Sequence, residues 1–155
     1  MLMNAKNGKI SVGSSDMDYV RFGRGEKVLV FLPGLGDGLT TVKGTALPMA
    51  VMYRIFSKDY TVYMFSRIND LPAGYTTRDM ARDQAEAMDV LGIKKADIVG
   101  VSMGGMIAQY MAIDHPEKVG KLVLAVTSAQ PNPILTESIS PIRHSLPMDQ
   151  MRSLL

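Results

Sequence analysis

Hydrophobic and polar positions fall in blocks along this chain, and the blocks differ in period and length. Near residues 9–12 and 19–22 two short β-like segments flank the turn-rich Gly13-Ser14-Ser15-Asp16. Residues 28–32 (VLVFL) are a continuous apolar run, the pattern of a strand buried on both faces. The run stops at Pro33-Gly34-Leu35-Gly36-Asp37-Gly38, a glycine-rich loop that cannot continue a strand. A short helix is expected between Pro48 and Ser57, since proline is favourable in a first helical turn. Residues 61–65 (TVYMF) read as the next buried strand.

Residues 77–91 carry the clearest helical period, with Met80, Gln84/Ala85, Met88 and Leu91 recurring on one face. Thr76 and Asp79 have capping-box spacing before it, and Gly92 stands where a helix C-cap is expected. Residues 97–101 (DIVGV) are another buried strand, followed at once by Ser102 and a helix over 103–114. His115-Pro116 stops that helix, because the residue before proline is pushed out of the helical region. The run from Lys121 to Val126 (KLVLAV) is a further buried strand. Strands alternating with helices imply an α/β fold, a mostly parallel sheet covered on both faces. After Ser128, Pro131, Pro133, Pro141 and Pro147 punctuate a polar stretch of weak period. Residues 1–128 are thus expected to form the core and residues 129–155 a separate segment.

Composition narrows the picture. With 155 residues, 46% hydrophobic and 21% charged, the chain suits one globular domain. Lysine and arginine exceed aspartate and glutamate by 17 to 15 and are scattered, unlike the clustered charge of a nucleic-acid footprint. There is no cysteine, which excludes disulfides and thiolate metal sites. The start lacks the apolar core of a signal peptide, and no apolar run approaches the roughly 18 residues that span a bilayer. A cytoplasmic address is expected, with no membrane partner. The 13 methionines are dispersed and read as adaptable core filling.

The chemistry lies in Gly100-Val101-Ser102-Met103-Gly104, a G-x-S-x-G pentapeptide between an apolar strand and a helix. A nucleophilic serine needs a sharp strand-to-helix turn that lifts its hydroxyl above the sheet edge. Glycines two residues either side admit the close strand–helix packing. The alternative is a serine that merely caps the helix. The other glycine loop fits no cofactor motif. A dinucleotide fingerprint would need glycine at Leu39, and a P-loop would need Gly-Lys-Ser/Thr. No cofactor and no metal are expected.

On these residues the chain resembles the α/β-hydrolase family over residues 1 to about 128. The resemblance implies a doubly wound sheet whose nucleophile elbow follows the fifth strand, here with Ser102 as nucleophile. Pro33-Gly34-Leu35-Gly36 matches the family's His-Gly-x-Gly oxyanion loop, with proline in place of histidine. The oxyanion donors would then be the backbone N–H groups of Leu35 and Met103, supported by Gly34 and Gly36. Asp114-His115-Pro116-Glu117-Lys118-Val119 is similar to the family's structural exit from the helix after the elbow.

The acid and base of a serine triad are not found. In this family the order is nucleophile, acid, histidine. His115 lies at the far end of the helix that Ser102 opens, roughly three turns away. His144 falls in the proline-rich stretch where relatives begin a lid, and the residues after the last strand, Val126-Thr127-Ser128, offer no carboxylate. The sheet is therefore expected to stop after about six strands, with Lys121 to Val126 an exposed edge open to self-association or a partner. The implied activity is hydrolysis of a small carboxylic ester, lactone or thioester, with the chain alone inactive. Three possibilities stay open: a fragment of an ordinary hydrolase, one half of a split enzyme, or a non-catalytic binding module.

Overall fold

The apolar runs become the central strands of one six-stranded sheet. The structure is a computed structural model and describes residues 2–34 and 41–129. Its strands are β1 (Lys6–Val12), β2 (Ser15–Gly23), β3 (Lys27–Leu32), β4 (Tyr60–Ile68), β5 (Ala96–Val101) and β6 (Val119–Ala125). They lie in the order β1-β2-β4-β3-β5-β6. β1, β2 and β4 pair antiparallel, whereas β4, β3, β5 and β6 run parallel, with Leu29 opposite both Val62 and Asp97. The parallel part needs crossover connections, and the helices supply them.

Helix α1 (Ala46–Met52) covers one face, α2 (Thr77–Val90) and α3 (Met103–Asp114) the other. Alternate residues of the central strands feed the two cores. Phe22, Leu29, Phe31, Val62 and Met64 meet Ala46 and Ala50 of α1. Val30, Leu32, Phe65 and Ile98 meet Met80, Met88, Ile107 and Met111 of α2 and α3. No helix among the described residues is long and apolar enough to cross a membrane.

The helix signals act as their chemistry dictates. Thr76 Oγ1 accepts from the Asp79 amide at 3.2 Å, and Asp79 Oδ2 accepts from the Thr76 amide at 3.0 Å, a complete capping box. Gly92 takes φ +70 just past α2, and the Ile93 amide returns to the Met88 carbonyl at 2.8 Å, closing a Schellman turn. α3 ends at Asp114, before His115-Pro116.

Several boundaries differ from the sequence expectation, β4 running Tyr60–Ile68 against the expected 61–65 and β6 Val119–Ala125 against the expected 121–126. β1 and β2 extend beyond residues 9–12 and 19–22 into a hairpin that pairs Lys6 with Arg21 and Val12 with Ser15. The helix expected over 48–57 begins at Ala46 and ends at Met52, followed by a 3-10 turn, Arg54–Phe56. Between them Tyr53 sets its ring 4.7 Å from that of Phe31, a tertiary contact that ends the regular helix. β6 is the outermost strand among the described residues. Among the described residues it pairs with no strand but β5, and it leaves Val123 52% and Leu124 43% exposed.

Candidate active site

β5 is driven into the sheet by Ile98, fully buried, and delivers the chain to its C-terminal edge at Val101. Ser102 then takes φ 53 and ψ −120, and Met103 is already the first residue of α3. A positive φ is rare for a residue with a side chain and costs of order 1–3 kcal/mol unless its surroundings hold it. Here they do. The Ser102 amide donates to the Ala125 carbonyl at the end of β6 at 2.9 Å, and its carbonyl accepts from the Gly105 amide at 2.9 Å. The Ser102 side chain is exposed and makes no capping hydrogen bond to α3.

The flanking glycines are contact points between backbones. A Cβ on Gly104 would stand 2.1 Å from the Leu32 carbonyl oxygen. One on Gly100 would stand 2.6 Å from the Gly104 carbonyl oxygen and 2.8 Å from Ala108 Cβ. α3 therefore leans against the ends of β3 and β5 as closely as main chains allow, which pins the turn between them. Gly34, just past β3, lies on the other side of the serine: a Cβ there would be 3.1 Å from Ser102 Cβ and 3.7 Å from Ser102 Oγ. The loop after β3 thus starts against the hydroxyl.

The Met103 amide, first in α3, has no acceptor within its own helix, and the helix dipole places partial positive charge there. The Met103 side chain is buried. Leu35 and Gly36, expected to supply the second donor and its glycine, lie outside the described residues. So does His144. His115 sits beyond the C-terminal end of α3, about 18 Å along a 12-residue helix axis from its start, with Nδ1 4.0 Å from Glu117 Oε1. Asp114 is taken by Arg78 in a bidentate pair at 2.6 and 2.7 Å, and that hydrogen bonding holds its carboxyl below the usual carboxylate range.

The segment after β6 was opaque in the sequence, yet it packs on the elbow helix. Thr127 abuts Gly105, whose Cβ would lie 2.5 Å from Thr127 Cβ. Gln109 Nε2 donates to the carbonyls of Gly105 and Ser128, both at 3.2 Å. The doublet Gly104-Gly105 was the one available signal, its second glycine admitting a neighbouring chain. Perturbed titration lies elsewhere, at the approach to α2. Burial, reinforced by its bonds to Asp83, pushes the Tyr75 hydroxyl up to about 12, and burial also raises the Asp83 carboxyl. Nothing in the sequence marked that pair.

Known proteins share this fold. A family profile described as alpha/beta hydrolase fold matches residues 27–152. A 2-hydroxy-6-oxononadienedioate/2-hydroxy-6-oxononatrienedioate hydrolase of Pseudomonas sp is 34% identical over 143 residues, which are 86% of this chain and 47% of that protein. A homoserine O-acetyltransferase of Thermus thermophilus is 47% identical over 58 residues, 37% of this chain and 15% of that one. Among solved structures, the enol-lactonase of Burkholderia xenovorans LB400 superposes with a TM-score of 0.71 at 20% identity, covering 89% of this chain and 54% of its own. The chain thus spans less than half the length of these curated relatives. Its sheet order, its helices on both faces and the match over most of its length all agree: the chain belongs to the alpha/beta hydrolase fold family, whose relatives here include hydrolases.

Proposed function

We propose that Ser102 is the nucleophile of an acyl-transfer hydrolase acting on a small carboxylic ester, lactone or thioester. Its Oγ gives up its proton to the base supplied from outside residues 1–128 and attacks the substrate carbonyl carbon, while the electron pair of the C=O bond moves to oxygen. Collapse of that oxyanion expels the alcohol or thiol as leaving group. The N–H groups of Met103 and Leu35 receive that oxyanion, aided by the positive end of α3. The observation that carries this reading is the exposed Ser102 hydroxyl on a backbone at φ 53. A serine kept only to cap a helix would use its oxygen for the cap, and this one makes no such bond. The relatives' names, a hydrolase and an acetyltransferase, fit chemistry at an acyl carbon.

The general base and its orienting acid come from outside residues 1–128. Removing the base from a serine triad costs on the order of 10⁶ in turnover, so the chain alone is expected to be nearly inactive. Supplied with a polypeptide carrying the acid and histidine, an organophosphate probe labels Ser102 and spares Ser102→Ala. Equal labelling of the two proteins removes Ser102 as nucleophile. The exposed edge of β6 favours a second element of the same reading, namely that the completing polypeptide, or another copy, pairs with this strand.

A further inference from the structure

Ser102 and Val126 leave neighbouring parallel strands at the same level, since Val101 of β5 stands opposite Ala125 of β6. Both turn through the left-handed region, Ser102 at φ 53 and Val126 at φ 50. For a β-branched residue such a backbone is an outlier that its surroundings must hold. The Val126 side chain, 89% exposed, supplies none of that hold. The chain beyond it does. Thr127 folds back onto Gly105, and the Ser128 carbonyl accepts from Gln109 Nε2 at 3.2 Å. The same Nε2 donates to the Gly105 carbonyl at 3.2 Å, so one amide group ties the turn to α3. A closed ring results. The Gly105 amide donates to the Ser102 carbonyl, Gln109 bridges Gly105 to Ser128, and the chain runs back through Val126 to Ala125, whose carbonyl accepts from the Ser102 amide. Every other link in that ring is backbone, and Gln109 is the one side chain that closes it.

We propose that Gln109 is a positioning residue, which pins the Val126 turn to α3 and thereby holds the Ser102 side chain in place at the start of that helix. The proposal rests on the reading of Ser102 as nucleophile. With the ring cut at Gln109, the turn at Val126 is free to relax to ordinary backbone, and the Ala125 carbonyl moves with it. The Ser102 amide then loses its fixed acceptor, one of the two bonds that hold its own strained backbone. A displacement of about 1 Å at a reacting centre can cost as much as 10²-fold in rate.

The test uses the full chain and the absence of native cysteine. Ser102→Cys installs a single thiol at the start of α3, where free amides and the helix dipole favour the thiolate. Iodoacetamide reads that thiolate, because the sulfur bonds to the methylene carbon and iodide leaves with its electron pair. The readout is the alkylation rate at neutral pH divided by the rate at the alkaline plateau. This quotient follows the thiolate fraction and cancels access to the site. N-acetylcysteine gives the same quotient for a free thiol. A loss of stability that leaves the chain folded does not move it.

In Ser102→Cys the quotient is expected to exceed that of the free thiol about fivefold or more. Adding Gln109→Met, which keeps the length of the side chain and removes its donors, should lower the quotient by about threefold or more. Adding Val126→Pro, whose ring fixes φ at about −65°, should do the same. Val126 is exposed, so its substitution does not open the core, and circular dichroism checks the fold of each variant. Val126→Gly, which accepts φ 50 without strain, should preserve the quotient. An elevated quotient that survives both Gln109→Met and Val126→Pro overturns the ring and leaves the nucleophile reading standing. Equal loss in Val126→Gly and Val126→Pro overturns it as well, since the turn would then not be what matters. A quotient equal to that of the free thiol in Ser102→Cys itself overturns the placement of the side chain at α3, while organophosphate labelling of the completed enzyme decides the nucleophile separately.

Discussion

Replacing Ser102 with glycine removes the hydroxyl and at the same time releases a backbone held at φ 53 and ψ −120. Glycine adopts positive φ without the Cβ clash that costs other residues about 1–3 kcal/mol. Against that gain stands the greater freedom of glycine in the unfolded chain, about 0.5–1 kcal/mol. No capping bond is lost, since the serine side chain makes none to α3. The balance is a net stabilisation of about 1 kcal/mol, which for a chain of this size raises the midpoint of thermal unfolding by about 2–4 °C. Ser102→Ala is the matched control. It deletes the same oxygen but keeps the Cβ and the strain, so its stability should stay within about 0.5 kcal/mol of the parent. Differential scanning fluorimetry of the three proteins, at one concentration and scan rate, reads the difference directly. If the alanine variant is as stable as the glycine variant, or more so, the elbow backbone is not strained and the nucleophile reading loses its main support.

Gly104→Ala should destabilise by about 2–3 kcal/mol in urea unfolding, because the new methyl would press on the Leu32 carbonyl and pry α3 from β3. Gly92→Ala, whose Cβ meets open space but whose φ is +70, should cost only about 1 kcal/mol. Equal costs would show that strand–helix contact is not what Gly104 serves. Because Tyr75 is raised from 10.0 to about 12, the folded state keeps its proton where the unfolded state has lost it. Its contribution is complete below pH 10 and disappears as pH rises through 10 to 12, so Tyr75→Phe should flatten the alkaline decline of stability in that window. An unchanged slope refutes the assignment. Val123→Lys with Leu124→Lys places charge on both faces of the outermost strand. Light scattering should find the double variant monomeric at concentrations where the parent associates, and identical association would exonerate β6.

The sequence made the middle of the sheet readable because β3, β4 and β5 are largely buried apolar runs that need no partner to be seen, whereas β6 has the same apolar run but lies exposed at the margin. It blurred β2, where Ser15 and Asp18 are buried polar residues that look like turn or surface positions until their partners Asp70 and Thr41 are in place. It misjudged α1, since the contact of Tyr53 with Phe31 ends the regular helix and no local signal at residue 53 announces it. At the elbow, the G-x-S-x-G spacing located the turn to the residue, because its glycines answer a short-range steric demand. The hydrogen-bonded cluster of Asp18, Thr41 and Ser66 was invisible for the opposite reason. Residues 18, 41 and 66 come together only through the fold, and each is an ordinary polar residue in its own neighbourhood. Histidine was legible as a deficit, since only two occur, one at the far end of the helix that Ser102 opens and one in the proline-rich stretch after residue 128.

The amide of Ser102 bonds to the carbonyl of Ala125, the last residue of β6, so the elbow is latched by a neighbouring strand as well as by its own. That latch makes the two margins of the sheet unequal for anyone attaching cargo. A fluorophore, affinity handle or surface tether on β1 rides at the opposite margin, five strand spacings or about 24 Å from β6. Attached beyond Ala125, the same cargo hangs from the strand that holds the serine, and any tension on it is felt at the elbow first. Immobilisation through the β1 margin is therefore the geometry that leaves Ser102 undisturbed and facing solution.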